Sequence, residues 1–247
     1  MLKIIIDAGH GGTDPGGGSN FFWKEKDLAL EISLYQFKRC KELGIQAELT
    51  RDKDMFLTPP YRTDLVKKSK AKYCLSNHFN AASDKKARGA EIITSITNDK
   101  VLANKMFEEM KKIIPGRRVF DRKNDKDNDY YFMHRLTGDV ITFIVEYGFA
   151  SNDEDVKIIK NSKLQLAESV LKAICEHEGI KYLKPGEKPK EDSMGVEQWK
   201  VDNLKYLHDN KMVDQFDGWL KKIDDNMPAW AVFSILANMH KVLTEKK

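Results

Sequence analysis

Six histidines are spread along this chain of 247 residues, and two of them stand where chemistry is expected. His10 lies in "IIIDAGHGGTDPGGG" (residues 4–18), where an apolar run ends in Asp7 and glycines surround the ring. His78 lies in "SNHFNA", directly after the apolar stretch "KYCLS". Imidazoles on loops that follow two parallel strands are candidate zinc ligands. Zinc takes histidine nitrogens and carboxylate oxygens, and in catalytic sites it keeps one position for water. The glycines raise a second chemistry, a phosphate cradle, which needs a strand, a glycine turn and then a helix N-terminus. Pro15 and the glycines after it keep the chain irregular at that point, and no Gly-Lys-Ser/Thr follows. The metal reading is the stronger.

Two acids extend the inventory. Glu146 ends the apolar part of "FIVEYGFASN", where an unpaired carboxylate is costly, so it has either a role or a route to solvent. Glu25, in "WKEKDLAL", starts a helix, a position that favours an acid for dipole reasons alone. His134, His177, His208 and His240 have no comparable setting. Taken singly, each is more often a packed or surface residue than a ligand.

The elements that must position these groups follow from periodicity. Leu2–Ile6, Ile45–Thr50, Lys72–Ser76, Ala90–Ile96 and Ile141–Glu146 read as strands. Asp27–Leu43, a short stretch near Arg62–Ser69, Val101–Ile114 and Lys163–Glu178 read as helices, with Gly44 and Pro115-Gly116 as stops. Strands alternating with helices predict an α/β fold, a twisted, mostly parallel sheet flanked by helices. The charged run "RRVFDRKNDKDND" (117–129) reads as a solvated loop.

A domain of residues 1–182 is expected, then a Pro- and charge-rich linker over 183–193. Residues 194–247 read as a small all-helical domain, with helices around Val196–Leu207 and Phe216–Ile223 and a third from Asn226 to Leu243. From Met194 onward, eight basic residues balance eight acidic ones, so the net charge of +4 lies upstream. That charge suits approach to an anionic polymer and does not point to nucleic acid. Cys40, Cys74 and Cys175 sit in apolar stretches and suggest neither a disulfide framework nor a cysteine zinc knuckle. No stretch is long and apolar enough to insert in a membrane, and no signal peptide is visible. Synthesis in the cytoplasm is the expectation.

Taken in order, "IIIDAGHGGTDPG", "EKDLAL", "LTRDKD" with Arg62, "SNHFNA" and "VEYGFASNDED" resemble the zinc-dependent N-acetylmuramoyl-L-alanine amidases of the Amidase_3 family over roughly residues 2–178. The resemblance implies a Zn2+ held by His10, Glu25 and His78, with Glu146 as the catalytic acid–base. Asp14 is the alternative third ligand. It also implies peptidoglycan as substrate, cut between muramic acid and the L-alanine of the stem peptide. Asn77 and Phe79 flank the second histidine where the family often has other residues, which bears on substrate fit. Asn80, Arg51 and His134 are candidates for substrate-side or supporting contacts.

Without a signal peptide, the layout resembles a phage endolysin that reaches the wall after the membrane is breached. A mother-cell lysis amidase of sporulation, a non-catalytic wall-binding protein on an amidase fold, and a zinc peptidase or deacetylase are the rivals. The C-terminal module is expected to bind a wall polymer, or else to self-associate or stabilise.

Overall fold

A computed structural model describes residues 2–187, 198–210, 212–222, 225 and 237. The chain divides into two compact units, Met1–Tyr182 and Leu183–Lys247. The first is built on six strands, β1 (Lys3–Ala8), β2 (Gln46–Leu49), β3 (Tyr73–Asn80), β4 (Ala90–Ile93), β5 (Gly116–Phe120) and β6 (Ile141–Phe149). They form one sheet in the order β2-β1-β3-β6-β4-β5. All neighbours are parallel except β4, which runs antiparallel to β6.

The central strands are continuous apolar runs because both faces are covered. Ile4, Ile5 and Ile6 are each at most 1% exposed. Helices α1 (Glu25–Glu42), α3 (Val101–Met110) and α5 (Asp153–Glu178) pack together against the sheet. Helices α2 (Pro59–Ser69) and α4 (Phe132–Arg135) meet each other elsewhere. There, Val66 and Met133 join Ile5, Cys74, Ile93 and Ile144 in one apolar cluster. Residues two apart on a strand share a face. Asp7, Ser76, His78, Glu146 and Glu91 therefore lie on the same side as that cluster, towards the carboxyl ends of β1 and β3.

Several elements differ from the sequence reading: β3 runs on to Asn80, so His78 stands in the strand and not on a loop after it, and α4 is not among the expected helices. The charged run after Gly116 begins as a strand: β5 is an edge strand whose exposed arginines mask the alternation. Helix α5 begins at Asp153, ten residues before its apolar period is legible. Ser162 (φ −135°, ψ 16°) breaks the helical backbone and shifts the phase of the buried face. Asn152 caps its first turn by accepting from the amides of Glu154 and Asp155. Finally, β6 runs on to Phe149 and carries an irregularity, since His78 pairs with Glu146 while Asn80 pairs with Phe149. Such bulges re-aim side chains beside functional sites.

In the second unit, α6 (Gln198–Asp209) and α7 (Phe216–Leu220) pack Leu204, Val213 and Leu220 into a small cluster. Residues 188–193 of the expected linker lie outside the described residues, as does the expected third helix except for Ala237. Among the described residues no helix is long and apolar enough to cross a membrane.

Candidate metal centre

His10, Glu25 and His78 come from three separate places, the loop after β1, the first turn of α1 and the carboxyl half of β3. Their ligand atoms nevertheless lie within 4.8 Å of one another. The loop has to be glycine-rich for a steric reason. A Cβ on Gly9 would strike the His78 ring, and one on Gly16 (φ +85°) would strike the Glu25 carboxylate. His10 itself takes a left-handed conformation at φ 57°, which costs a non-glycine residue about 1–2 kcal/mol.

Buried arginines hold that conformation. Arg62 donates to the carbonyls of Ala8 (2.7 Å) and His10 (2.7 Å) and to Asp7 Oδ1 (2.6 Å). Asp7 is fully buried and also accepts from Thr50 and Ser76, each at 2.7 Å. Burial by itself would raise the Asp7 carboxyl, but the Arg62 charge and the two hydroxyls hold it below the usual carboxylate range. Arg51 donates to the carbonyls of Ala8, Gly9 and Lys26. It is 2% exposed, so it braces the loop and does not face substrate.

Glu25 is 2% exposed, and both of its oxygens are engaged. Oε1 lies 3.1 Å from His78 Nδ1 and accepts from the Phe79 amide at 3.0 Å. Oε2 accepts from the Gly18 amide at 2.7 Å and lies 3.2 Å from His10 Nε2. Burial opposes ionisation of Glu25, yet the two imidazoles overcome it and hold the carboxyl far below its ordinary value. His10 shows the converse. Burial disfavours its charge, but Glu25 and Asp14 raise it to about 9. Asp14 Oδ2 sits 2.7 Å from His10 Nδ1, on the far side of the ring from Glu25. It thus contacts the ring nitrogen away from Glu25, and the ligand atoms that cluster are those of His10, Glu25 and His78.

Two nitrogens and one ionised carboxylate, with an orienting carboxylate behind one histidine, are a donor set that can hold a metal and that suits zinc. Glu146 is the register partner of His78 on the neighbouring strand. One edge of the residue faces a cavity of about 520 Å3, while its Oε2 is sealed from solvent without a partner. Burial pushes its carboxyl up. The nearby His78 counteracts that, Glu25 and Glu91 add to it, and the group ends at about 7. A carboxylate that exchanges its proton near neutrality can serve as a general base.

The remaining expectations divide. Asn80 lines the cavity and donates to Glu91 Oε2 at 2.7 Å. His134 does not reach it: the side chain is 1% exposed. Its ring nitrogens lie near the Ile93 and Thr142 backbone without completing a hydrogen bond, and burial lowers it to about 4. That places His134 in the scaffold. Sequence reasoning passed over Glu91, which pairs in register with Glu146. Its signal was available, an acid inside the apolar strand "AEII", the same cue that singles out Glu146.

The profile of the family described as N-acetylmuramoyl-L-alanine amidase matches residues 4–176. The germination-specific N-acetylmuramoyl-L-alanine amidase of Bacillus subtilis is 28% identical over 193 residues, covering 70% of this chain and 78% of that protein. The chain spans 56%, 78% and 22% of the lengths of three relatives it matches. The CwlD amidase from Clostridioides difficile, solved in complex with the GerS lipoprotein, is 26% identical with a TM-score of 0.64 over 72% of this chain and 99% of its own. The catalytic domain of CwlV from Bacillus (Paenibacillus) polymyxa var. colistinus has the same fold, with a TM-score of 0.64 at 23% identity, covering 73% of this chain and all of that domain. With a matched profile across most of the chain and the fold of those enzymes, this chain belongs to the Amidase_3 family of N-acetylmuramoyl-L-alanine amidases.

Proposed function

We propose that this protein is a zinc-dependent peptidoglycan amidase that hydrolyses the bond between N-acetylmuramic acid and the L-alanine of the stem peptide. The observation that carries the reading is the convergence of His10, Glu25 and His78 with Glu146 in the adjacent register position. His10, Glu25 and His78 would hold the ion, with Asp14 fixing the His10 ring. A zinc ion there supplies Lewis acidity, polarising the scissile carbonyl and lowering the pKa of a water. Glu146 accepts the proton of the attacking water on its cavity side and returns it to the departing L-alanine amine. The buried arginines keep the His10 loop from relaxing during turnover.

The test is digestion of purified walls by the whole protein, with and without chelator, alongside Glu146→Gln. New amino termini on L-alanine are expected, lost in the variant and on chelation and restored by Zn2+. New reducing ends, termini inside the stem, or activity that survives both treatments would refute the reading.

The further assignment, a phage endolysin made inside the cell and reaching the wall once the membrane is breached, rests on the two-unit layout. Added from outside, such an enzyme lyses intact Gram-positive cells. Digestion of purified walls with no effect on cells would count against it. The helical unit from Leu183 is assigned to wall binding, and its separate failure to sediment with purified walls would remove that role.

A further inference from the structure

The arginines of β5 have no part in the reaction just described, yet they share its row. His78 on β3, Glu146 on β6, Glu91 on β4 and Arg118 on β5 are successive register partners. Their side chains therefore leave the sheet on one face in a line, with about 4.8 Å between strands. Glu146, Glu91, Arg117, Arg118 and Arg122 all line the same cavity of about 520 Å3.

Glu91 is 1% exposed. Its Oε1 accepts from Arg118 Nε at 2.7 Å and from Arg117, and its Oε2 from Asn80. One buried carboxylate thus anchors two guanidiniums and leaves the pair with a positive excess. Asp121, also on the cavity wall, is occupied by Lys100. Arg122 stacks over the Tyr130 ring at 3.8 Å. The Arg118 guanidinium lies over the Phe120 ring at 3.9 Å, and its side chain is half exposed. Among the described residues its terminal Nη groups have no hydrogen-bond partner. A guanidinium held by a buried carboxylate and an aromatic face, with its outer fork open, is prepared to accept a second carboxylate in two parallel hydrogen bonds.

We infer that Arg118, held by Glu91 and the Phe120 ring, is a specificity-determining residue that binds the free α-carboxylate of the second residue of the stem peptide. The inference rests on the amidase reading. Reach decides the position. An extended peptide advances roughly 3.5 Å per residue, so a carboxylate on the second residue lies about 7 Å from the scissile nitrogen. The Arg118 backbone stands two strand spacings, about 10 Å, from that of Glu146, and the arginine side chain spans the difference. A stem running from Glu146 across β4 to β5 would place its second carboxylate at the open fork, with the glycan leaving towards the His10 side.

The test uses defined muropeptides of one length that carry D-glutamate or its α-carboxamide, D-isoglutamine, at the second position. Each is made with a free and an amidated C-terminus. The whole zinc-loaded protein is expected to prefer the D-glutamate form through KM. Arg118→Gln should raise KM for that form roughly tenfold, the loss of one charge-assisted contact at a half-exposed site, with kcat kept. The preference should disappear while KM for the carboxamide form stays put. Arg118→Lys, which keeps the charge without the fork, should recover part of the difference and guards against a folding defect. Equal KM shifts on both forms, or no preference in the unmodified protein, would overturn the inference while leaving amidase activity intact. A preference that follows the C-terminal carboxylate would overturn the assignment to the second residue. Cleavage of neither form would instead refute the amidase reading itself.

Discussion

Replacing Glu146 with glutamine keeps the side-chain shape and removes the charge, and it should move activity and stability in opposite directions. The carboxyl is raised from 4.5 to about 7 in the folded protein. A group whose folded pKa is raised gives its full stability below the unfolded value, and that stability is lost as pH rises through the folded value. Ionisation of the unfolded chain, net of the folded one, is worth about 1 kcal/mol at pH 5 and about 3 kcal/mol at pH 8. In metal-free protein, Glu146→Gln should therefore gain about 2 kcal/mol on the unmodified chain between those two pH values. Only Oε2 is sealed, and one edge of the residue faces the cavity, so wetting makes this figure an upper bound.

Urea unfolding in chelator at pH 5 and pH 8 measures it, and any fixed cost of the amide cancels in the comparison. A stability difference that is constant with pH, or that shrinks as pH rises, refutes the buried-carboxylate argument. The same variant with zinc should lose about 100- to 10,000-fold in kcat. Retention of a tenth of the activity would remove Glu146 as the base.

Asp14→Ala should weaken zinc binding about 10- to 100-fold by freeing the His10 ring, read by competition with a chromogenic chelator. An unchanged affinity would mean that the 2.7 Å contact does not orient the ligand. Because His10 is raised to about 9 without metal, zinc binding at pH 7.5 should release close to one proton. Titration calorimetry in buffers of different ionisation enthalpy counts it, and a count near zero contradicts the charged His10. Arg62→Met strands the fully buried Asp7 and should cost about 3–5 kcal/mol. Adding Asp7→Asn should return part of that loss, and denaturant unfolding of both variants checks the pair.

Local pattern carried much of this protein. Apolar runs that stop near Asp7, His78 and Glu146 point to the carboxyl halves of β1, β3 and β6, which a mostly parallel sheet brings towards one rim, so His10, His78 and Glu146 stood out as candidates from local sequence, while Glu25 was grouped with them only by the family resemblance. The glycines around His10 were visible too, although their purpose was not. Gly9 and Gly16 are small because the His78 ring and the Glu25 carboxylate press against the backbone, and Gly11 and Gly12 because the Met55–Phe56 backbone does, contacts between segments distant in sequence.

What the chain alone left open are properties of neighbours. Arg51, from the sequence a candidate for either a substrate-side or a supporting contact, is buried because three carbonyls of the folded loop need donors. The strand in "RRVFDRKND" is hidden because an edge strand needs apolar residues only where another element covers it. Glu91 and Arg118 become a pair through register. Hydrogen bonding between β4, β6 and β5 sets that alignment, and no spacing along one chain encodes it. Residue types and periodicity determined which chemistry was present. The pairing of strands decided which groups stand side by side, because cross-strand register depends on packing the whole sheet at once.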